Sequence, residues 1–120
     1  MALDLDKFNA DWLKAWSEKD VPRLVAFYAE DCVYKDPQTA QGLIGRAALR
    51  DYLTGLFGAT PNMVYTPEEI WTTHNGYCGR WYCAIGDKGE GGRMRGFDLV
   101  VLKGDKIALN EVYVHQLPAA

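Results

Sequence analysis

The apolar pattern of the chain changes its period once, near Asn62, and this change constrains the fold more than any other feature. Before it, apolar residues recur at helical spacing; after it they alternate as in strands, near 63–73, 77–86, 93–103 and 106–116. Clusters rich in Gly, Asn and Asp separate these strands. Helices followed by consecutive strands predict an α+β domain, with the helices packed on one face of an antiparallel meander.

Three helices are predicted in the first half of the chain. Asp20 is a good N-cap and Pro22 fits the first turn of the second helix, which we expect to continue through Tyr28. A short strand is predicted at 32–36, and Pro37 ends it because proline cannot donate to a sheet ladder. The apolar stripes of the first and third helices are formed by Leu5, Phe8, Trp12, Trp16, Leu49, Leu53, Leu56 and Phe57.

Length and composition limit the class of protein. The 120 residues fit one domain spanning 1–120, large enough for a core without metal or disulfide support. The hydrophobic fraction of 48% and charged fraction of 24% are those of an ordinary globular protein. Basic residues are scattered and the net charge is -3, so a nucleic-acid backbone would meet no positive surface. We expect no nucleic-acid partner.

The cysteines and the apolar runs indicate a compartment. Cys32, Cys78 and Cys83 are odd in number and lack C-x-x-C spacing, which favours reduced thiols in a reducing environment. The acidic start of the chain lacks the pattern of a secretory signal. No apolar run approaches the roughly 20 residues that a bilayer requires. We expect a cytoplasmic protein without membrane contact.

Asp98 is the most informative single residue. It interrupts the β-forming run 95–102 and shares its side of the strand with Val100 and Leu102. Aspartate is disfavoured inside strands and is seldom buried without a partner. Asp98 is therefore either a functional carboxyl group in an apolar setting or a residue on a solvated face.

Asp36 is the second candidate. It follows Tyr34 by two positions, so in an extended strand both side chains point to the same side, with Cα atoms about 6.5 Å apart. The alternative is a local role, because Asp-Pro commonly starts a turn and such aspartates bind nearby backbone.

Aromatic side chains are numerous enough to line a cavity. For each one, plain core packing is the alternative, but together with two acids they are typical of a small-molecule pocket. His74 and His115 have no neighbours at metal-ligand spacing, so neither a metal site nor another cofactor is expected. The aromatic residues concerned are Trp12, Trp16, Tyr28, Tyr34 and Trp81.

The segment 27–37 (FYAEDCVYKDP), Gly42 and the helix 45–53 (GRAALRDYL) together resemble the nuclear transport factor 2-like superfamily. Within it, the chain is most similar to the SnoaL-like and ketosteroid-isomerase-like branch, and the resemblance extends to 104–107 (GDKI). It implies a cone, in which a strongly curved antiparallel sheet wraps around three N-terminal helices and leaves a central pocket.

The resemblance also implies roles for several residues. Asp36 matches the general base of the isomerases, and Asp98 matches their protonated aspartic acid, which donates a hydrogen bond to the developing enolate. Trp12 stands where the isomerases have a tyrosine; its indole N–H can donate but cannot exchange a proton as a phenol does. Asn110 occupies one position of a polar pair found in the SnoaL-like cyclases, and Val112 after it leaves that pair incomplete.

The expected function is that of a cofactor-independent isomerase, cyclase or lyase that removes a proton next to a carbonyl of a hydrophobic substrate. The alternatives are a non-catalytic binding or dimerisation module of the same fold, and an epoxide hydrolase that uses Asn110. The resemblance further implies a homodimer through the outer sheet face, at Leu109 and Tyr113. The expected pocket walls include Trp16, Phe57, Trp81, Val100, Cys83 and Ile85.

Overall fold

The computed structural model describes residues 3–118, which form three helices and six strands. The three helices and the first two strands precede a run of four long strands, in agreement with the predicted change of period. In chain order they are α1 Leu5–Glu18, α2 Val21–Val25, β1 Tyr28–Lys35, β2 Leu43–Ile44, α3 Arg46–Ala59, β3 Met63–Thr73, β4 Gly76–Ile85, β5 Arg93–Lys103 and β6 Lys106–Gln116.

The second helix is shorter than the sequence predicts. The Asp20 side chain accepts a hydrogen bond from the backbone N–H of Arg23, as an N-cap does, but α2 ends at Val25. Tyr28, expected in the helix, is instead the first residue of β1 and lies opposite Ile107 of β6. Pairing with a distant strand therefore overrides the local helical pattern at this point.

The sheet is mixed, with the order β2-β1-β6-β5-β4-β3. The four long strands form the predicted antiparallel meander, and their bounds agree with the predicted ones to within a residue. The expectation of a wholly antiparallel sheet is wrong at one place, because β1 runs parallel to β6. The chain returns through α3 before the meander starts, which lets β6 add beside β1 in the same direction.

The sheet is curved but not closed, and the helices pack on it. Register shifts at Pro67/Glu69 in β3 and at Val101/Leu102 in β5 mark bulges, which bend and twist strands. Side chains from α1, α3 and the sheet form one buried core. These features confirm the predicted α+β cone.

Two further findings concern the outside of the molecule. Tyr113 is 62% exposed on the outer sheet face, where the homodimer contact was predicted, and that contact stays a prediction. Among residues 3–118, no helix has both the length and the apolar character needed to cross a bilayer.

Candidate functional site

A cavity of about 270 Å³ lies between α1, α3 and the sheet. Pro37 and Gln38 are exposed and form its mouth, whereas Trp12 and Asp98 are buried and lie deeper. The walls are mostly apolar. The lining residues are Trp12, Leu13, Trp16, Tyr34, Asp36, Pro37, Gln38, Tyr52, Leu56, Thr60, Met63, Tyr65, Trp81, Met94, Asp98, Val112 and Val114.

Five of the lining rings form a continuous arc. The ring centroids are 5.9 Å apart for Tyr52 and Tyr34, and 6.3 Å apart for Tyr34 and Trp16. The arc continues from Trp16 to Tyr65 at 5.9 Å and from Tyr65 to Trp81 at 5.1 Å. These spacings are those of mutually stabilising aromatic pairs, so the wall is a contiguous aromatic surface.

Asp98 lies at one end of this arc, on β5, and only 2% of it is exposed. Its Oδ1 accepts a hydrogen bond of 2.9 Å from the Trp81 indole N–H, and its Oδ2 accepts one of 3.1 Å from the Asn110 amide. Burial raises the pKa of Asp98 to about 7, and these two hydrogen bonds oppose that rise. Asp98 is thus a carboxyl group that exchanges its proton near neutral pH.

Asn110 holds its position through a second buried partner. Its Oδ1 accepts a hydrogen bond of 2.9 Å from the Tyr28 hydroxyl, and its amide nitrogen also lies 3.3 Å from the Leu99 carbonyl oxygen. Burial raises the pKa of Tyr28 well above its ordinary value, so the phenol remains a donor. The donor on Oδ1 fixes the amide orientation and directs its NH₂ group to Asp98.

A glycine makes room for the Trp81 indole. Trp81 on β4 lies opposite Gly96 on β5, and a Cβ atom at position 96 would overlap the six-membered part of the indole ring. The absence of a side chain lets the indole lie across β5 and reach Asp98, two residues along the strand. Gly96 is therefore a structural requirement of the Trp81–Asp98 hydrogen bond.

Asp36 lies at the other end of the arc, just after β1, and is half-buried. Oδ2 accepts hydrogen bonds from the hydroxyls of Tyr34 at 2.9 Å and Tyr52 at 2.6 Å. Oδ1 accepts from the backbone N–H groups of Gln38 and Thr39 at 2.9 Å each, and from the Thr39 hydroxyl at 3.0 Å. Both the predicted Tyr34 contact and the local turn role are therefore present, and the acceptor positions of this carboxylate are filled.

Four of the eight predicted ligand-binding residues, Trp12, Trp16, Tyr34 and Trp81, line the cavity together with both acids. The other four lie outside the lining of this cavity. Tyr28 and Asn110 are fully buried behind the wall, where they bind each other. Val100 is buried in the core opposite Tyr77 of β4. Phe57 stands edge-on to Trp16, with centroids 5.6 Å apart, and lines a separate hollow of about 60 Å³.

Cys83 and Ile85, also expected at the wall, lie outside the lining. Burial raises the pKa of the Cys83 thiol to about 11, so it is a packed side chain. The Trp12 indole N–H, expected as a donor to the ligand, is buried without a hydrogen-bond partner. Among residues 3–118, no three His, Cys, Asp or Glu side chains are grouped so that they could hold a metal ion.

Sequence reasoning missed several lining residues that periodicity could have found. Tyr52 lies three residues after Leu49 and four before Leu56, on the predicted stripe of α3. Val112 and Val114 alternate with Asn110 on β6 and share its side of the strand.

The curved sheet, the three helices and the cavity between them define a nuclear transport factor 2-like fold. The SnoaL-like domain profile matches residues 10–110, and the chain belongs to this family. No curated protein matches the chain in sequence.

Solved structures share the fold at low sequence identity. A candidate ketosteroid isomerase from Kribbella flavida has a TM-score of 0.74 at 14% identity, over 95% of this chain and 79% of that one. TerC, co-crystallised with polyporic acid, has a TM-score of 0.75 at 10% identity, over 89% and 88%. A Catenulispora acidiphila protein with a ketosteroid isomerase-like fold, in complex with trimethylamine, has a TM-score of 0.73 at 16% identity, over 88% and 83%. At these identities the similarity shows the fold alone.

Proposed function

We propose that the protein binds a hydrophobic small organic molecule in the cavity and transfers a proton on it, as isomerases, cyclases and lyases do. Asp98 is the acid–base group. The observation that carries this proposal is a buried carboxyl group at the cavity wall whose pKa is raised to about 7. General acid–base catalysis is most efficient when the catalytic pKa lies near the working pH.

The hydrogen bonds of the two acids support Asp98 over Asp36 as the proton acceptor. An ionised carboxylate offers about four acceptor positions. Asp98 accepts two hydrogen bonds and keeps lone pairs free for a substrate proton, whereas Asp36 accepts five. The proposal therefore moves the role of base from Asp36, where the family resemblance predicts it, to Asp98, and Asp36 orients the hydroxyls of Tyr34 and Tyr52.

The proposed step balances without a cofactor. Ionised Asp98 takes a proton from the carbon next to a substrate carbonyl, so a C–H bond breaks and an O–H bond forms on Asp98. The electron pair moves onto the carbonyl oxygen, which becomes an enolate oxygen. Return of the proton to a different carbon completes an isomerisation.

The structural relatives give general support. Their names and ligands, a candidate ketosteroid isomerase, polyporic acid and trimethylamine, are consistent with a cavity that accepts small organic molecules. The cytoplasmic location and the homodimer remain parts of the proposal.

The test compares Asp98→Asn with Asp36→Asn on a panel of ketones and polyketide-like aromatics. Solvent deuterium incorporation at the carbon next to the carbonyl is measured by NMR, with binding measured separately. The proposal expects Asp98→Asn to lose at least about a hundredfold in exchange rate, the usual contribution of a general base. Asp36→Asn should lose much less. Equal rates in wild type and Asp98→Asn would overturn the assignment.

A non-catalytic binding module is the second candidate. Tyr34 and Tyr52 donate to Asp36 and Trp81 donates to Asp98, so these donors are engaged within the protein rather than directed at a ligand oxygen. A ligand that binds but never exchanges a proton with solvent would favour the binding module.

A further inference from the structure

The charged side chains that line the cavity are all acidic. Its polar and aromatic side chains include two acids and six rings, and none of the residues lining it is Lys, Arg or His. Lys19, which lines the neighbouring hollow together with Trp16, is occupied elsewhere, because its ammonium binds the Thr60 carbonyl at 2.7 Å and the Phe57 carbonyl at 3.2 Å. A bound anion would therefore meet two acids and no cationic side chain.

The two acids lie at opposite ends of the aromatic arc. Tyr52 and Tyr34 bind Asp36 at the mouth end, and Trp81 binds Asp98 at the buried end. Neighbouring rings along the arc have centroids 5.1–6.3 Å apart. A cation is attracted to an aromatic face from within about 6 Å of the centroid, so one cation can contact two neighbouring rings at once.

This arrangement offsets the cost of burying a positive charge. An ion removed from water is strongly destabilised unless it is paired. Here the ring faces supply cation–π attraction and the carboxylates supply opposite charge. Met63 and Met94 add polarisable thioethers to the same wall.

We infer that the ligand of this cavity is a hydrophobic amine that carries its charge as a tertiary or quaternary ammonium group, held against the aromatic arc between Asp36 and Asp98. The inference rests on the proposed function for the site and names its substrate class. Such a ligand also supplies a positive charge, which the cavity wall lacks. An ammonium group near the reacting carbon offsets the negative charge that develops when Asp98 removes a proton, a role that Lys or Arg has in other sites.

The experiment uses two probes of the same shape, (4-(hydroxymethyl)phenyl)trimethylammonium and 4-tert-butylbenzyl alcohol, which differ in the ammonium charge and have no group that ionises near pH 8. Their dissociation constants are measured by calorimetry at about pH 8, where Asp98, with a pKa of about 7, is mostly ionised. The ratio of the two constants is the readout, because damage to cavity shape weakens both probes equally. The wild type should favour the ammonium probe by at least about tenfold.

Variants then assign this preference. Asp98→Asn and Tyr65→Leu should each reduce the ratio several-fold. Asp31→Asn is the matched control, since Asp31 is an exposed acid on β1 outside the cavity, and it should leave the ratio unchanged. A wild-type ratio of one or less would overturn the inference while leaving proton transfer on a neutral ligand intact. Binding of neither probe would overturn the inference and the proposed pocket together.

Discussion

The indole N–H of Trp81 donates a hydrogen bond of 2.9 Å to Oδ1 of Asp98, and this bond connects the aromatic wall to the buried acid. The donor stabilises the ionised carboxylate and so holds the pKa of Asp98 below the value that burial alone would give. The two residues come from neighbouring strands, and Gly96 allows them to meet.

Trp81→Phe should raise the pKa of Asp98 above about 7, because the variant keeps an aromatic ring but loses the donor to the charged form. The measurement is the titration of the Asp98 carboxyl ¹³C signal by NMR. Trp71→Phe is the matched control, since Trp71 is 39% exposed and its ring packs against Phe97, which faces the opposite side of the sheet from Asp98. An unchanged titration midpoint in Trp81→Phe would contradict the role given to the indole.

Gly96→Ala should destabilise the fold by about 1–3 kcal/mol, the usual cost of overpacking, because the added methyl group displaces the Trp81 indole. Urea unfolding measures the loss. Gly55→Ala and Gly58→Ala are controls within α3, where an added methyl group meets nothing within 4 Å. Both should stabilise the protein by about 0.5–1 kcal/mol, because alanine favours helix over glycine. Equal effects at position 96 and in α3 would be inconsistent with the indole packing.

The stability of the protein should fall between about pH 4 and pH 7 relative to Asp98→Asn. Asp98 has a pKa of 3.8 when unfolded and about 7 when folded, so in this window the folded state binds more protons than the unfolded state. Stability therefore decreases as pH rises, and the full difference corresponds to about 4 kcal/mol. The measurement is the urea midpoint across pH for wild type and variant. Parallel pH profiles would show that Asp98 does not titrate as described.

Tyr28→Phe should cost about 1–3 kcal/mol, because it leaves the buried Asn110 oxygen without a donor. Tyr113→Phe is the control, since its hydroxyl binds Glu111 on the exposed face. Equal free energies of unfolding for both variants would remove the structural role of the Tyr28–Asn110 pair.

The first and third helices and the four long strands could be predicted because their apolar spacing is a local property of the sequence. The parallel pairing of β1 with β6 could not, because Tyr28 and Ile107 are distant in sequence and periodicity carries no information on strand direction. Short β2 has too few residues to show any period.

The two acids could be singled out, but their states could not. Asp98 stands out in a β-forming run, yet its partners Trp81 and Asn110 are known only from the strand register. At Asp36 the turn pattern predicted local hydrogen bonds, but the contact with Tyr52 depends on how α3 packs against β1. It is this additional donor on an occupied carboxylate that shifts the proposed proton transfer to Asp98.

The most direct test of the account is the titration of the Asp98 carboxyl group in the wild-type protein, followed by ¹³C NMR and assigned with Asp98→Asn. We expect a midpoint near pH 7, since burial raises the pKa of Asp98 to about 7. A midpoint near 4, the ordinary value for a solvated aspartate, would contradict it, because Asp98 would then be ionised throughout and would bind protons too weakly to transfer them.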